Sequence, residues 1–373
     1  MKHSVIAIIL ISASLMGCVT AAPPVSEAVV VFGGDTFFGR KLKPLIAKGV
    51  DLFKDIRAAA KDADICILNL ETPISTNNSE PYDKPYVFIA DPIAITLLTN
   101  SFVNAVSLGN NHMLDYGKQA LIDTHRYLDA AGIAYSGAGT NLMQASKPVI
   151  FEVNGIKIGY LSFGLNGPGE VLDATPITHG TAPIRLTNIL PVMNELRPKV
   201  DFLIVSLHDG AEYMDFPMQR VLSNYHAIID NGADLIIGHH PHVIQGIEKR
   251  EGGVIFYSMG NLLFDQKNAI TLKTMLGSVK ITKKLVSGKT VIGAEYSVIP
   301  MMRNTELFLP EFAGKKDADA ITAHLKKISA SLGKWKPEFV LKSGKPYPEY
   351  SIVWANKGGS NSIALSGKSK QNE

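Results

Sequence analysis

The chain has 373 residues, of which 46% are hydrophobic and 19% are charged, a composition typical of globular proteins. This composition excludes a largely disordered chain. The 37 Lys and Arg residues exceed the 34 Asp and Glu residues by only three charges, and we expect no nucleic-acid partner, because such binding needs a clustered basic face. The two cysteines, Cys18 and Cys66, are too few for a disulfide framework or a cysteine-rich zinc site.

The first residues have the pattern of an export signal. Lys2 and His3 precede a mostly apolar run over residues 5–16. This run is shorter than the roughly 20 residues that a membrane-spanning helix needs. The sequence Leu15-Met16-Gly17-Cys18 then resembles the cleavage box of bacterial lipoproteins.

We therefore predict a lipoprotein signal peptide over residues 1–18, with Cys18 as the lipidated residue, and a tether over residues 19–27. The alternative is a simple signal peptide that is cleaved near Ala21-Ala22. In the preferred interpretation the protein is exported and anchored as a lipoprotein in the bacterial cell envelope. Its first expected partner is then the cell membrane, reached through the lipid.

Downstream of the tether, apolar runs alternate with segments of helical length. Five runs rich in Val, Ile and Leu are predicted to be buried strands: Ala28–Phe32, Ala63–Leu68, Phe102–Leu108, Phe202–Leu207 and Asp234–Ile237. Helices are predicted over Leu42–Lys61, Gly117–Ala131 and Pro217–Asn231. Antiparallel pairs are predicted around Asn154-Gly155, Gly252-Gly253 and Ser287-Gly288. The expected fold is α/β, with two mixed β-sheets flanked by helices.

The mature chain is predicted to form one main domain over residues 28–310. Residues 311–355 are Lys-rich, contain a predicted helix over Asp317–Leu332, and are expected to be an extension that packs on this domain. Residues 356–373 are mostly Gly, Ser, Lys, Asn and Gln, and we predict a disordered tail.

Polar side chains follow the predicted strands at the points where these end. They are Asp35, Glu71, Asn111, His112, His208, His239, His240 and His242. Because ligands in open α/β sheets bind outside the carboxyl ends of the strands, we expect these side chains on one rim. Asp35 alone could cap a helix and Glu71 alone could begin a turn, but three His within four positions favour a metal site. Carboxylate, amide and imidazole ligands suit Mn, Fe, Zn or Co.

Several motifs in this order resemble the CapA family of capsule and poly-gamma-glutamate biosynthesis proteins. They are Gly34-Asp35-x-x-x-Gly39-Arg40, Asn69-Leu70-Glu71, Lys84-Pro85-Tyr86-x-Phe88, Gly109-Asn110-Asn111-His112-x-x-Asp115-x-Gly117, Gly238-His239-His240-Pro241-His242-Val243 and Ser258-x-Gly260-Asn261-x-x-Phe264-Asp265. That family is similar to the calcineurin-like metallophosphoesterases. The resemblance implies a four-layer αββα sandwich with a centre for one or two divalent metal ions.

The resemblance also implies individual roles. The metal ligands would be Asp35, Glu71, Asn111, His208, His240 and His242, with His240 favoured over His239 because it keeps a one-residue gap to His242. His112 would be the catalytic acid or a phosphate contact. Arg40 would clamp a phosphate or a carboxylate near the site, or else be an ordinary surface residue.

One position departs from the metallophosphoesterase pattern. The first motif of those enzymes has Asp-x-His, whereas Phe37 stands here at the third position. A site that lacks one imidazole is expected to bind one of its two metals more weakly.

Two functions follow from these observations. The preferred one is a metal-dependent phosphohydrolase in the synthesis or export of an extracellular polymer of the poly-gamma-glutamate type. The alternative is a non-catalytic accessory or scaffold subunit of a membrane polymer synthase, which binds synthase subunits or an anionic polymer. A periplasmic solute-binding protein also fits the composition but does not explain the His cluster.

Overall fold

The computed structural model describes residues 25–77, 79–165, 172–356 and 368–369. Three predicted features lie wholly or mostly outside these residues. They are the signal peptide with Cys18, the tether before Val25, and the greater part of the C-terminal tail.

The described residues form nineteen strands and eight α-helices. In chain order the strands are β1 Ser26–Thr36, β2 Ile65–Leu70, β3 Ala105–Ser107, β4 Ala134–Ser136, β5 Ala138–Gly139, β6 Val149–Val153, β7 Ile156–Gly164, β8 Gly180–Thr181, β9 Phe202–His208, β10 Leu235–His239, β11 Ile247–Arg250, β12 Gly253–Phe256, β13 Asn261–Leu263, β14 Lys273–Val286, β15 Lys289–Arg303, β16 Pro310–Phe312, β17 Trp335–Leu341, β18 Tyr350–Asn356 and β19 Lys368–Ser369. The helices are α1 Lys43–Ala47, α2 Lys54–Ala60, α3 Ala94–Thr99, α4 Gly117–Ala130, α5 Leu142–Ala145, α6 Leu186–Leu196, α7 Gln219–Asp230 and α8 Lys315–Ser329.

Two mixed sheets contain most of these strands. The large sheet has the order β17-β18-β15-β14-β1-β2-β3-β4, with β13, β16 and β19 paired at its side, and the small sheet has the order β11-β12-β10-β9-β7-β6. Strands β1 to β4 are parallel, as are β7, β9, β10 and β12, whereas the outer strands pair antiparallel. All residues of β2 and β9 are buried, which explains why these strands are apolar without alternation.

Three hydrophobic cores define the layers. One core lies between the sheets, where Phe32 of β1 meets Phe256 of β12 with ring centroids 5.0 Å apart. A second joins the outer face of the large sheet to α1–α4, and a third joins the outer face of the small sheet to α6 and α7. The molecule is therefore the four-layer αββα sandwich that was predicted.

The prediction of one continuous helix over Leu42–Lys61 was wrong. The structure has two helices there, α1 and α2, and between them Gly49 has a φ of 73°, which ends the first helix. Helix α6 was not predicted, since Pro191 interrupts its pattern. The other predicted helices and the five predicted strands are present, although β3 begins three residues later than expected.

The predicted antiparallel pairs are also present. β11 pairs with β12 at the predicted Gly252-Gly253 position. Asn154 and Gly155 connect β6 to β7, and Ser287 and Gly288 connect β14 to β15, with φ between 50° and 79° at all four residues. Such positive φ values define the tight two-residue turns that suit the twist of a hairpin.

The region after residue 310 completes the core between the sheets. Ile321, Leu325 and Ile328 of α8 and Ile352 of β18 are buried in it together with β1 and β9 residues. Across the described ranges, the structure contains no helix with the length and apolar character that crossing a membrane requires.

Candidate metal centre

The carboxyl ends of five strands meet at one rim of the two sheets. Strand β1 carries Asp35, Glu71 follows β2, and the segment after β3 supplies Asn111 and His112. From the small sheet, β9 ends at His208 and β10 ends at His239, and these two residues are register partners. Because the strands within each half are parallel, all of these polar groups point to one place, as predicted from the sequence.

Glu71 is at the centre of the cluster. Its carboxylate is fully buried, and its Oε1 atom has no hydrogen-bond partner among the described residues. This oxygen lies 3.9 Å from His112 Nε2 and 4.0 Å from both His208 Nε2 and His242 Nε2. Such distances are too long for hydrogen bonds. Two atoms that bind the same ion through bonds of about 2.0–2.2 Å lie roughly 3–4 Å apart, depending on the angle at the ion, so these distances leave room for a shared ion.

Asp35 forms the second carboxylate of the cluster. Its oxygens lie 3.2 Å from His242 Nδ1 and 3.5 Å from His239 Nδ1, and the backbone amide of His240 donates to Oδ2 at 3.3 Å. The His239 Nδ1 atom is buried without a hydrogen-bond partner in the described part of the chain. His239 therefore contacts the cluster as well.

His208 connects the two remaining predicted ligands. Its Nε2 atom lies 2.9 Å from Asn111 Oδ1 and 3.1 Å from His240 Nδ1. His240 has a φ of 96° and His242 a φ of 59°, so the backbone of this segment is left-handed at both residues. That conformation lets three His from one short segment approach the same carboxylates. The preference for His240 over His239 as a ligand stays a prediction.

His112 is held on three sides. Its Nδ1 lies 2.7 Å from Asp115 Oδ2, and its ring stacks on Phe88 with centroids 3.9 Å apart. Lys84, whose side chain is buried, lies 2.6 Å from Asp115 Oδ1 and donates to the Asn111 carbonyl at 2.6 Å. These contacts hold Nδ1 against the buried Asp115 carboxylate and leave His112 Nε2 facing Glu71.

Arg40 and Phe37 belong to an aromatic cluster beside the site. The Arg40 guanidinium forms an ion pair with Asp265 and lies 4.8 Å from the centroid of Phe37 and 4.7 Å from that of Phe88. Phe37 is fully buried against Phe88 and Phe264. Where the metallophosphoesterase pattern has an imidazole, the side chain here is thus part of an apolar contact.

Burial and the charges of neighbouring groups shift the pKa values of the residues in the cluster. Burial raises the pKa of Glu71 well above its ordinary value, and the Asp35 charge raises it further. Burial also acts to raise the pKa of Asp35, but the adjacent His239 and His242 imidazoles outweigh it and leave that pKa well below its usual range. Burial lowers the pKa of His208 and of His240, so both rings are neutral and can offer lone pairs to a metal.

The residues present fit a divalent metal. Ligand atoms of Asp35, Glu71 and His208 all lie within 4.8 Å of one another, and all three residues are buried. Glu71 Oε1 and His239 Nδ1 are ligand-type atoms that are buried without a hydrogen-bond partner in the described structure. Oxygen and imidazole donors without thiolate are the set expected for Mn, Fe, Zn or Co.

The sequence analysis assigned no role to two residues that the structure places in the cluster. Asn69 is fully buried, and its Nδ2 lies 2.8 Å from Asp35 Oδ1, 3.2 Å from Glu71 Oε2 and 3.3 Å from His208 Nδ1. Asn261 accepts at Oδ1 from His242 Nδ1 at 2.8 Å. The available signal for Asn69 was a polar residue two positions before Glu71 in an otherwise apolar strand.

Comparison with known families supports the motif assignment. Residues 29–266 match the family described as bacterial capsule synthesis protein PGA_cap. The chain belongs to this family. The capsule biosynthesis protein CapA of Bacillus anthracis is 30% identical over 274 residues, which cover 70% of this chain and 67% of that protein. The PGA biosynthesis protein CapA of Bacillus subtilis is 33% identical over 239 residues, covering 63% of each. The PGA_cap chain thus spans about two thirds of the length of these curated relatives.

Among solved structures, a phosphatase from Mycoplasma pneumoniae is similar to this PGA_cap chain. The similarity has a TM-score of 0.41 at 16% identity and covers 74% of this chain and 95% of that one.

Proposed function

We propose that this protein is a metal-dependent phosphoester hydrolase in the synthesis or export of a capsule or of a poly-gamma-glutamate type polymer. The observation that carries the proposal is the unpartnered, buried Glu71 Oε1, which three imidazole Nε2 atoms surround at 3.9–4.0 Å. The polymer class comes from the printed names of the two Bacillus relatives.

Six residues would hold one or two divalent ions: Asp35, Glu71, Asn111, His208, His240 and His242. Ions bound there would acidify a water molecule and neutralise charge on the phosphoryl group. The protein itself contributes the geometry, since five strand ends fix the carboxylates and imidazoles before any substrate arrives.

His112 would supply the proton in this reaction. Its Nδ1 bond to Asp115 orients the ring so that Nε2 can give a proton to the departing oxygen. Burial lowers the pKa of this ring, which makes its protonated form a stronger acid. Phe88 restricts the ring to one plane by stacking on it. Arg40, which contacts Phe88 and is partly exposed, would attract an anionic substrate to this side of the site.

The second candidate is a non-catalytic accessory subunit of a membrane polymer synthase. Phe37 favours it, because this fully buried ring stands where the metallophosphoesterases have an imidazole. In either case we propose that the protein is exported and that a lipid on Cys18 holds it in the cell envelope. Its partners would then be synthase subunits or the anionic polymer itself.

The test combines metal analysis with a substrate screen. The purified protein is expected to contain Mn, Fe, Zn or Co by mass spectrometry and to hydrolyse p-nitrophenyl phosphate or bis(p-nitrophenyl) phosphate. Glu71→Ala and His242→Ala should lose both the metal and the activity, and should melt at lower temperature because a ligand of the native state stabilises it.

The matched control is His226→Ala, because His226 of α7 bonds Glu248 of β11, away from the cluster. This variant should keep its metal. Full metal content in both ligand variants would show that the metal site is wrong. Bound metal without hydrolysis of either ester class would instead favour the accessory subunit.

A further inference from the structure

The β14–β15 hairpin projects beyond the neighbouring strand at one end of the molecule. The last register pair between β1 and β14 joins Ser26 to Lys283. Past this pair, β14 and β15 stay paired with each other up to the turn at Ser287 and Gly288, and β19 pairs with β15 at Val291 and Ile292, before the tip. We call residues 284–289 the hairpin tip.

The hairpin tip combines exposed apolar side chains with unpaired positive charge. Leu285 is 53% exposed and Val286 is 45% exposed, although strand residues of this type are usually buried. Lys284 and Lys289 are exposed and have no acidic partner among the described residues. Two lysines nearer the core differ, since Lys280 pairs with Glu27 and Lys283 with Asp201.

The hairpin tip lies beside the start of the described chain. Val25, which is also 53% exposed, precedes the Ser26 that pairs with Lys283. The eight residue steps from the predicted anchor Cys18 to Ser26 can span at most about 30 Å. A bilayer that holds this anchor is therefore within reach of the hairpin tip.

The candidate metal centre lies at the other end of the same strand. Strand β1 runs from Ser26 to Asp35, and nine steps of an extended strand cover about 30 Å. A surface that contacts the hairpin tip would leave the rim with the metal ligands pointing away from it.

We propose that the hairpin tip docks on an anionic phospholipid bilayer and orients the anchored protein with its metal centre away from the membrane. Leu285 and Val286 would enter the interfacial region, and Lys284 and Lys289 would lie at the lipid headgroups. The charges of the tip are complementary to such a surface, which is why we commit to a bilayer as its partner. The inference does not depend on the hydrolase activity.

Vesicle binding tests this proposal with the full chain carrying Cys18→Ser, so that no lipid contributes. Sedimentation with vesicles of phosphatidylglycerol and phosphatidylcholine should exceed that with phosphatidylcholine alone. Each lysine near an anionic surface contributes about fivefold to partitioning, so Lys284→Glu with Lys289→Glu should reduce binding at least tenfold. Leu285→Ser with Val286→Ser should reduce binding as well.

The controls are changes of the same kind elsewhere on the surface. Lys316→Glu with Lys327→Glu on α8, and Val340→Ser with Leu341→Ser on β17, alter exposed residues and should bind as the parent does. In a separate measurement, Leu285→Trp should shift its fluorescence to the blue with anionic vesicles only. Equal binding of all variants, or no fluorescence shift, would overturn the proposal.

Discussion

At the scale of single residues, Glu71 combines full burial with a carboxylate oxygen that has no hydrogen-bond partner among the described residues. A buried acceptor without a partner destabilises a fold by about 1–3 kcal/mol, and a charged one by more. Glu71 Oε1 is in this position in the described structure, while three imidazoles face it. A divalent ion would turn this arrangement from a penalty into a source of stability. The cluster therefore fits a metal-binding site better than a hydrogen-bond network.

A substitution of His112 distinguishes a hydrolase from a non-catalytic scaffold. Exchanging it for Asn (His112→Asn) should leave metal content and melting temperature near those of the parent. If the protein is a hydrolase, the rate should fall about 10²–10⁴-fold, because a positioned proton donor is lost. Complementation of a deletion strain, with polymer production as the readout, measures the effect without knowledge of the substrate.

Two further outcomes of this experiment are informative. Normal polymer with His112→Asn but lost polymer with His242→Ala would mean that the metal is structural. Loss of metal in His112→Asn would assign His112 to the ligands, which its 3.9 Å distance from Glu71 Oε1 also permits.

The sequence predicted the identity of the clustered residues better than their contacts. Strand ends and the His cluster were enough to bring Asp35, Glu71 and His208 together. The stacking of Phe88 on His112 and the Lys84 contact with Asp115 could not be derived, because they join a loop to a distant strand end without any periodic signal.

At the scale of elements, the site requires close backbone contact at the end of β1. A Cβ atom on Gly34 would lie 1.9 Å from the Gly260 carbonyl oxygen, which accepts from the Asp35 amide at 3.0 Å. Gly34→Ala should therefore lower the free energy of unfolding by about 3 kcal/mol and weaken metal binding by displacing Asp35. Urea denaturation and metal titration measure the two effects.

Gly314→Ala is the matched control for this change. A Cβ atom there meets no other atom within 4 Å, and the residue precedes α8 with a φ of −61°. Its effect on stability should stay below about 1 kcal/mol. An equally small effect of Gly34→Ala would show that the end of β1 can shift without loss of stability.

Helix α4 carries a buried histidine outside the metal cluster. His125 is 6% exposed and stacks on Tyr135, and burial lowers its pKa to about 4. The unfolded chain binds a proton below pH 6.5 while the folded chain does not, so stability is lost as the pH falls from 6.5 towards 4. His125→Phe keeps the ring stack and should remove about 2 kcal/mol of this loss at pH 5.

Urea denaturation at pH 7.5 and pH 5 measures this difference. The other histidines are the same in parent and variant, so their contributions cancel in the comparison. Parallel pH dependence of the two proteins would show that His125 is not protected from protonation.

Elements with a regular pattern were predictable, and elements decided by one residue were not. The predicted parallel strands are continuously apolar and α4 is long, so that the sequence pattern distinguishes strand from helix. The division of Leu42–Lys61 at Gly49 and the presence of α6 despite Pro191 depend on tertiary packing, which local propensity does not contain.

At the scale of the whole molecule, neither sheet contains the candidate metal centre alone. The large sheet supplies Asp35 and Glu71, the small sheet supplies His208, and His240 contacts Asp35 across 205 positions of the chain. Metal binding should therefore depend on the packing of the two sheets against each other. The presence of two mixed sheets could be inferred from the alternation of elements, but the distances across this interface could not.

The proposed lipid on Cys18 makes a testable prediction about the position of the protein in the cell. Cys18→Ser should move the protein from the membrane fraction to the soluble fraction, because the apolar run over residues 5–16 is too short to span a bilayer. Cys66→Ser is the matched control, since it changes the other of the two cysteines. Cys66 is buried in the outer core of the large sheet, and burial raises the pKa of its thiol to about 12, so it is not a site of modification.

Fractionation and immunoblotting of cells that express each variant give the result. If Cys18→Ser remains with the membrane, the lipoprotein prediction is wrong, and a simple signal peptide cleaved near Ala21-Ala22 becomes the better interpretation. In that case the hairpin tip can be examined as the remaining contact, by adding Lys284→Glu and Lys289→Glu to the same variant. If the triple variant leaves the membrane while Cys18→Ser stays there, the surface of the folded domain, rather than a lipid, holds the protein at the membrane.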